Sequence, residues 1–259
     1  MSSLTVDDRW LAEQPEGTHR LVLDPTGDLL SAARACEADV FLARYGNSRE
    51  QLADEYGPYE QQSVFLALAT PAGDVEAAVR FIVPGPAGLK SLVDVEREPW
   101  HADALASAGA AGLDLALTWD IATLSARGER AEGVSHVAAL YHGIALATRS
   151  NGITGTVAIL DIRVRRLLDS VGLHYRTLPG TRVRPYLGSP ASVPVYAELA
   201  ELLDNQRRVD PDSYRLFVHG SGLDGVTVPG QEAFVLPRRR VVDLCEVAQV
   251  PAVRPVGGR

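Results

Sequence analysis

Residues 40–84 read VFLARYGNSREQLADEYGPYEQQSVFLALATPAGDVEAAVRFIVP, and this stretch decides the fold. Ser63 to Thr70 is a near-continuous apolar run of strand length. Pro71-Ala72-Gly73-Asp74 is a turn signal, and Val75 to Val83 is a second apolar segment, so the two predict a β-hairpin. Pro84-Gly85-Pro86 ends it. Upstream, Leu29, Leu30, Ala33, Cys36, Val40 and Phe41 recur at helical spacing and predict a helix from Gly27-Asp28 to about Tyr45. Asn47 to Tyr56 holds several helix formers before Gly57-Pro58 breaks them.

Thr18 to Leu23 alternates as a short strand. Downstream, residues 86–112 read as an irregular connection. Leu115 to Ala126 reads as a third long strand. Ser135 to Ser150 reads as a helix with Ser135 as its N-cap. Gly155 to Asp161 is a short apolar run typical of a buried strand, and Ile162 to Ser170 a helix with Leu167 and Leu168 inward. Val171 to Arg176 turns into another strand, Val195 to Asn205 reads as a helix, and one or two further strands are expected in 206–240. Alternation of this kind predicts an α/β chain, with a mixed sheet and helices on both faces. One domain over 19–240 is expected, with a flexible segment at 1–18 and a tail at 241–259. No glycine-rich turn follows the first strand, so a doubly wound nucleotide fold is not expected.

The chain has 259 residues and 46% apolar content, enough for a sizeable core. Net charge is −8 and the pI about 5.3. This argues against a general nucleic-acid or anionic-membrane binder, which carries a basic face. Cys36 and Cys245 match no metal-ligand spacing and read as buried free thiols. The start, Met1 to Trp10, has no signal-peptide pattern, and no run approaches a membrane span. A cytoplasmic protein is therefore expected. Lys90 is the only lysine.

Several motifs carry little. No P-loop, G-x-G-x-x-G or G-x-S-x-G appears. Ser221, within Gly220-Ser221-Gly222, has no helix after it. His136 and His142 are six residues apart, the wrong spacing for a metal pair on one helix face. His101 and His174 are lone loop histidines. Arg163, Arg165 and Arg166, and likewise Arg238 to Arg240, read as solvated basic knots. No metal site is expected.

One pattern carries more. Val40-Phe41 ends a helix, and Arg44-Tyr45-Gly46 follows as an Arg-aromatic-Gly step. Glu55 and Tyr59-Glu60 close an acidic segment, and Arg80 to Pro84 ends the hairpin. Trp119-Asp120, Gly152-Ile153, Thr156 to Asp161 and Val171-Gly172-Leu173 come later in order. The series resembles the acyl-homoserine-lactone synthases and N-acyl amino-acid synthases, which belong to the GNAT superfamily of N-acyltransferases. It covers about residues 30–200, most sharply 40–84. Four positions depart from the family pattern. Glu37 replaces an arginine, Asn47 a tryptophan, Gly57 an acid and Thr123 an arginine. These departures point to an acceptor other than S-adenosylmethionine, or to a lost activity.

The resemblance implies a fold whose strands 115–126 and 155–161 splay apart to admit the pantetheine arm of an acyl thioester. Leu124, Ser125, Ala126 and Arg127 then lie at the thioester, where exposed N–H groups can hold a developing oxyanion. The start of the 135–150 helix is where phosphate would meet a helix N-terminus. The usual pyrophosphate motif is missing from 125–136, which suits an acyl-carrier protein as well as acyl-CoA. Arg127 or Arg130 could meet a carrier's acidic face. An amine arrives largely as ammonium, so a carboxylate must take its proton. Glu60 and Asp120 are the candidates. Asp120 could instead simply pair with Arg80. Arg80 can orient an acid or hold a substrate carboxylate. Phe41, Trp119, Glu55 and Thr123 are candidates for contact with the acyl group or acceptor, with core packing the alternative for Phe41 and Trp119. The expected function is N-acyl transfer from an acyl thioester to a small-molecule amine. The alternatives are an acetyl-CoA-dependent acetyltransferase and an inactive acyl-binding module of the same fold.

Overall fold

The computed structural model describes residues 19–128 and 130–237. The sheet order is β6-β8-β5-β4-β3-β2-β1-β9, with β7 also paired to β8. The strands are β1 (His19–Leu23), β2 (Ser63–Ala69), β3 (Val75–Ile82), β4 (Thr118–Ala126), β5 (Gly155–Asp161), β6 (Arg176–Thr177), β7 (Arg184–Tyr186), β8 (Ser189–Glu198) and β9 (Val226–Thr227). The predicted hairpin is β2–β3, antiparallel from Ser63↔Ile82 to Ala69↔Val75. The β4–β5 and β1–β9 pairs are parallel, so the sheet is mixed as expected.

Period-two alternation sorts the hairpin onto two layers. Val64, Leu66 and Leu68 with Val79 and Phe81 pack beneath helix α5 (Arg130–Ser150). Phe65, Ala67 and Ala78 face α1 (Gly27–Tyr45), which buries Ala33 and Cys36 against them. Ser48 then starts α2 (Arg49–Tyr56) with a reciprocal capping box to Gln51, at 3.1 and 2.8 Å. The connection 86–112 is not irregular. It holds α3 (Lys90–Val95) and α4 (Ala104–Ala111), which bury Leu92, Val95 and Ala108 on the far side of β5. Gln62 ties this segment down: its amide donates to Val83 O at 2.9 Å and accepts from Ala87 N at 2.7 Å. A Cβ at residue 85 would fall 2.4 Å from the Gln62 side chain, so the turn requires Gly85.

Other expectations need correction. Helix α5 starts at Arg130, so exposed Ser135 lies inside it and is not its cap. In α6 (Ile162–Ser170) Leu168 is buried but Leu167 is 61% exposed, because neighbours on a helix stand about 100° apart. The predicted helix at Val195 is instead strand β8, and α7 (Leu199–Val209) begins only after Glu198 caps it. Pro190 and Pro194 made this strand hard to read, since proline is usually excluded from interior strands. Residues 206–237 hold α8 (Pro211–His219) and one two-residue strand, β9. Segments 1–18 and 241–259, with Cys245 and Arg238 to Arg240, lie outside the described residues. Cys36 is buried and free, its thiol pushed up to about 11 mainly by desolvation.

Among the described residues no helix is long and apolar enough to cross a membrane. Helix α5 meets β2 closely at Gly143, where a Cβ would stand 2.6 Å from Leu66 Cδ2. Leu66 is fully buried and has nowhere to go. Gly143→Val is therefore expected to lose about 1–3 kcal/mol of stability by overpacking, read as a lower urea midpoint with unchanged slope.

Candidate active site

Strands β4 and β5 pair over only three positions, Thr118↔Gly155, Trp119↔Thr156 and Asp120↔Val157. Beyond them β4 stays bonded to β3 as far as Ala126, while β5 follows β8 to Asp161. The strands splay, and a cleft of about 160 Å³ opens between Ile121–Leu124 and Ala158–Asp161. Phe41, Tyr45, Tyr141 and Tyr175 also line it. Backbone alternation decides what β4 offers the cleft. Arg127 N–H donates to Glu76 O of β3 at 2.8 Å, so the amides of Ser125 and Thr123 turn the same way. Those of Leu124 and Ala126 face the open edge. Ser125 Oγ donates to Ala78 O at 3.2 Å, and the Arg127 guanidinium bonds Val75 O at 3.0 Å and Asp39 at 2.7 Å. Of the four residues expected at the thioester, Leu124 and Ala126 thus have free donors there, and Ser125 and Arg127 are tied into the sheet. The side chain of Arg130 lies outside the described residues.

The opposite face of the sheet carries charge. Asp120 and Thr123 are three apart and would point to opposite faces of a regular strand. The register slips between Arg80↔Thr123 and Phe81↔Ile121, and this bulge puts both on the α1 side. There Arg80, 4% exposed, meets Glu37, 2% exposed. The pair is bidentate: Arg80 Nε donates to Glu37 Oε1 at 3.0 Å and Nη2 to Oε2 at 2.6 Å. Thr123 Oγ1 donates to Glu37 Oε1 at 2.5 Å. Arg80 Nη1 donates to Ser63 Oγ at 3.1 Å and Glu60 Oε2 at 3.3 Å, and Arg34 pairs with the other oxygen of Glu60. The rings of Tyr56 and Phe65 lie 4.5 and 4.6 Å from the guanidinium. Arg80 spends four of its five N–H donors within the chain, and its Nε/Nη2 fork is taken by Glu37 and so is not open to a substrate carboxylate. Glu37 and Thr123, two of the four departures from the family pattern, are therefore one coupled arrangement around Arg80. The missed signal was an acid at helical spacing inside an apolar stripe, four residues after Ala33.

Asp120 is not part of this network. It is fully buried and accepts from Ser91 N at 2.5 Å and Ser91 Oγ at 2.8 Å. Desolvation raises its pKa to about 7 against the pull of the Ser91 hydrogen bonds and Lys90. The expected alternative, pairing with Arg80, is corrected: the carboxylate is bonded to Ser91 of α3, and Arg80 to Glu37, Ser63 and Glu60. Beside it lies a second cluster. Buried Lys90 donates to Asp94 at 2.5 Å, Glu55 at 2.9 Å and Tyr186 OH at 3.0 Å, and Tyr186 OH bonds Asp94. Glu55 is thus held by the only lysine. The Tyr56 ring, 5.2 Å from Lys90 Nζ, separates this cluster from Arg80. Trp119 does not reach the cleft. It precedes the splay and packs on Phe81 in the core, ring centroids 5.2 Å apart.

A second, smaller chamber of about 40 Å³ lies behind the cleft, among α5, α7 and α8. The two cavities share Ile121, Tyr141 and Tyr175 as a common wall. Beyond the two tyrosines, its lining is apolar except for Thr148 and Gln206. Gln206 is fully buried; its Nε2 donates to Val171 O at 3.3 Å and its Oε1 has no partner. Such an orphan acceptor costs about 1–3 kcal/mol. Among the described residues no group of three or more metal-ligating side chains could hold a metal ion. His142 Nδ1 lies 3.1 Å from Phe217 O, and Arg163 pairs with Asp161 at 2.9 Å, so these residues serve the scaffold.

Two consequences are testable. Glu37→Ala strands a buried guanidinium and is expected to cost about 3–5 kcal/mol. The double change Glu37→Met with Arg80→Met should cost clearly less than the sum of the single changes, because neither charge is left alone; urea melts of the four proteins decide. Asp120 has a folded pKa above its unfolded value, so its contribution is full below pH about 4 and is lost as pH rises through about 7. Asp120→Asn should therefore be more stable than the wild type at pH 8, with the advantage gone near pH 4. An unchanged difference between the two proteins across that range would contradict the burial argument.

No protein-family model matches the sequence, nor does any curated protein. Solved structures do match. An N-acyl amino acid synthase from uncultured soil microbes, FeeM, aligns at TM-score 0.55 and 11% identity over 72% of this chain and 93% of its own. BjaI, a CoA-dependent acyl-homoserine lactone synthase solved with SAM and isopentyl-CoA, aligns at TM-score 0.53 and 15% identity over 87% of this chain and 99% of its own. The chain has the fold of these two synthases.

Proposed function

We propose that the chain is an N-acyltransferase that moves an acyl group from an acyl thioester, acyl-CoA or an acyl-carrier protein, to the amine of a small molecule. The observation that carries this reading is the splay of β4 from β5. It leaves the Leu124 amide at a lined cleft and the Ala126 amide farther along the same open strand edge, with a buried carboxylate at the fork. In this reading the thioester enters between the strands, and the two free amides receive its carbonyl or the amides of its arm. The amine approaches from the α1–α3 side. Asp120 is the proton acceptor, since a base with a pKa near 7 is matched to deprotonating an ammonium at neutral pH. Ser91 Oγ, bonded to it, is the link to the amine. Glu60, held by Arg34 and Arg80 and 42% exposed, orients the acceptor. Arg80 positions Glu60, Glu37 and Thr123. Phe41 and Thr123 contact substrate from the cleft wall, and Glu55 stands at the acceptor side through Lys90. The reaction suits the cytoplasm.

The inner chamber favours an acyl group longer than acetyl. An acetyl-CoA-dependent enzyme would leave it empty.

The test is thiol release from acyl thioesters offered with a panel of small amines. The wild type is expected to turn over, Asp120→Asn to lose on the order of a hundredfold or more, and Glu60→Gln less. Ala145→Phe, which fills the inner chamber, should shorten the longest chain accepted. Release that stays at background with both CoA and carrier thioesters would sink the transfer reading. A thermal shift with thioester but no turnover would point to the acyl-binding module.

A further inference from the structure

Lys90 does not line the cleft, yet it is 3% exposed and stands next to Ser91, whose amide and hydroxyl hold Asp120. Its ammonium spends all three donors inside the protein: on Asp94 at 2.5 Å, Glu55 at 2.9 Å and Tyr186 OH at 3.0 Å. Tyr186 OH donates in turn to the same Asp94 oxygen that Lys90 uses, so the three groups close a ring. Tyr186 is fixed by Trp100, 5.2 Å away between ring centroids, and Trp100 Nε1 donates to Arg182 O at 2.6 Å. Stability does not call for such a cluster, because a buried ion pair exchanged for apolar side chains of like volume is often neutral or stabilising. The cluster ties α3, a helix of six residues, to α2 through Glu55 and to β7 through Tyr186.

We infer that Lys90 and Asp94 are positioning residues for the base: their ion pair anchors α3 so that both Ser91 donors stay on Asp120, and it sets the charge that this carboxylate faces. This deepens the proposed function and rests on its choice of Asp120 as the base. Few other groups can set that charge. The flanking strands offer Ile82 and Val157. Tyr56 of α2 and Tyr59 of the turn after it face Asp120, but burial pushes both phenols up and keeps them neutral. The Glu37–Arg80 pair lies beyond Tyr56 and is matched within itself. Lys90 and Asp94 remain, and they act in opposite senses: the ammonium favours the anion of Asp120, and the Asp94 carboxylate opposes it. Glu55, held by Lys90, is 38% exposed, so solvent screens its charge. Removing Lys90 takes away the favourable charge and leaves Asp94 unmatched, which pushes the Asp120 midpoint up. Removing the Asp94 charge frees Lys90 to favour the anion, which pulls the midpoint down.

The experiment uses the full-length protein, isotope-labelled at its aspartate carboxyl carbons. An NMR titration gives the Asp120 midpoint, its signal being the one that Asp120→Asn removes. Lys90→Met is expected to raise the midpoint by about one pH unit, and Asp94→Asn to lower it by a similar amount. A merely structural role would not send the two variants in opposite directions. In turnover, read as thiol release, kcat of Lys90→Met should fall about fivefold at pH 7, the loss of ionised Asp120 when its midpoint moves from about 7 to about 8. It should recover as pH rises past the new midpoint, with KM for the thioester unchanged because neither residue lines the cleft. Melting curves check that each variant is folded, and Asp94→Asn decides alone if Lys90→Met is not. Midpoints that stay put, or that move the same way in both variants, overturn the inference while acyl transfer stands. Opposite shifts with no thiol release by the wild type uphold the anchoring of Asp120 and overturn acyl transfer. A kcat profile that ignores a shift seen in the titration overturns Asp120 as the base, and the inference with it.

Discussion

Everything that matters in this molecule follows from how briefly β4 and β5 touch. The sheet is two blocks, β1–β4 and β5–β8, joined over three residue pairs. Each block keeps its own antiparallel ladder, so neither needs the other for its hydrogen bonds. The edge of β4 past Asp120 is left with main-chain amides and no strand to receive them. Buried or half-buried amides do not stay unpaired without cost. In the proposed function a thioester arm, rich in amides and a carbonyl, fills this gap. The scaffold is thus stable around a cleft that is chemically incomplete.

The charged face shows a different economy. The Glu37–Arg80 pair is buried on both sides and would be costly if its geometry were poor. It is bidentate, and Thr123, Ser63 and two aromatic rings complete its contacts. Glu37 and Thr123 stand where the resembled family carries arginines. A face with three arginines would repel itself without external anions, whereas this one is matched internally. That difference bears on the acceptor. The face offers no open guanidinium fork for a carboxylate, and burial raises the pKa of Asp120 well above the usual carboxylate range.

Helix α3 links the two halves of the site. Gln62 pins the loop before it, and α3 then presents Ser91 to Asp120 and Lys90 to Glu55, Asp94 and Tyr186. Sequence reading passed over this segment because a six-residue helix is too short to show periodicity. Lys90 looked like a compositional accident. Its importance rests on burial, which no count reveals.

The amino-acid sequence by itself determined the hairpin, helix α1 and the buried strand β5, because those depend on local apolar spacing and on turn residues. It also marked Arg80 and Asp120 as unusual, since charge inside an apolar strand demands a partner. It could not choose the partners. Arg80 took Glu37 from a helix 43 residues away in sequence, and Asp120 took Ser91 from 29 away. Strand β8 was hidden by its prolines, yet it completes the sheet beside β5. The bulge in β4 is likewise silent in sequence, and it alone brings Thr123 to the same face as Asp120. Only the tertiary structure decided these things. Pairing between distant segments is set by which groups meet in a low-dielectric interior, and that is a property of the packed sheet and not of any one stretch of chain.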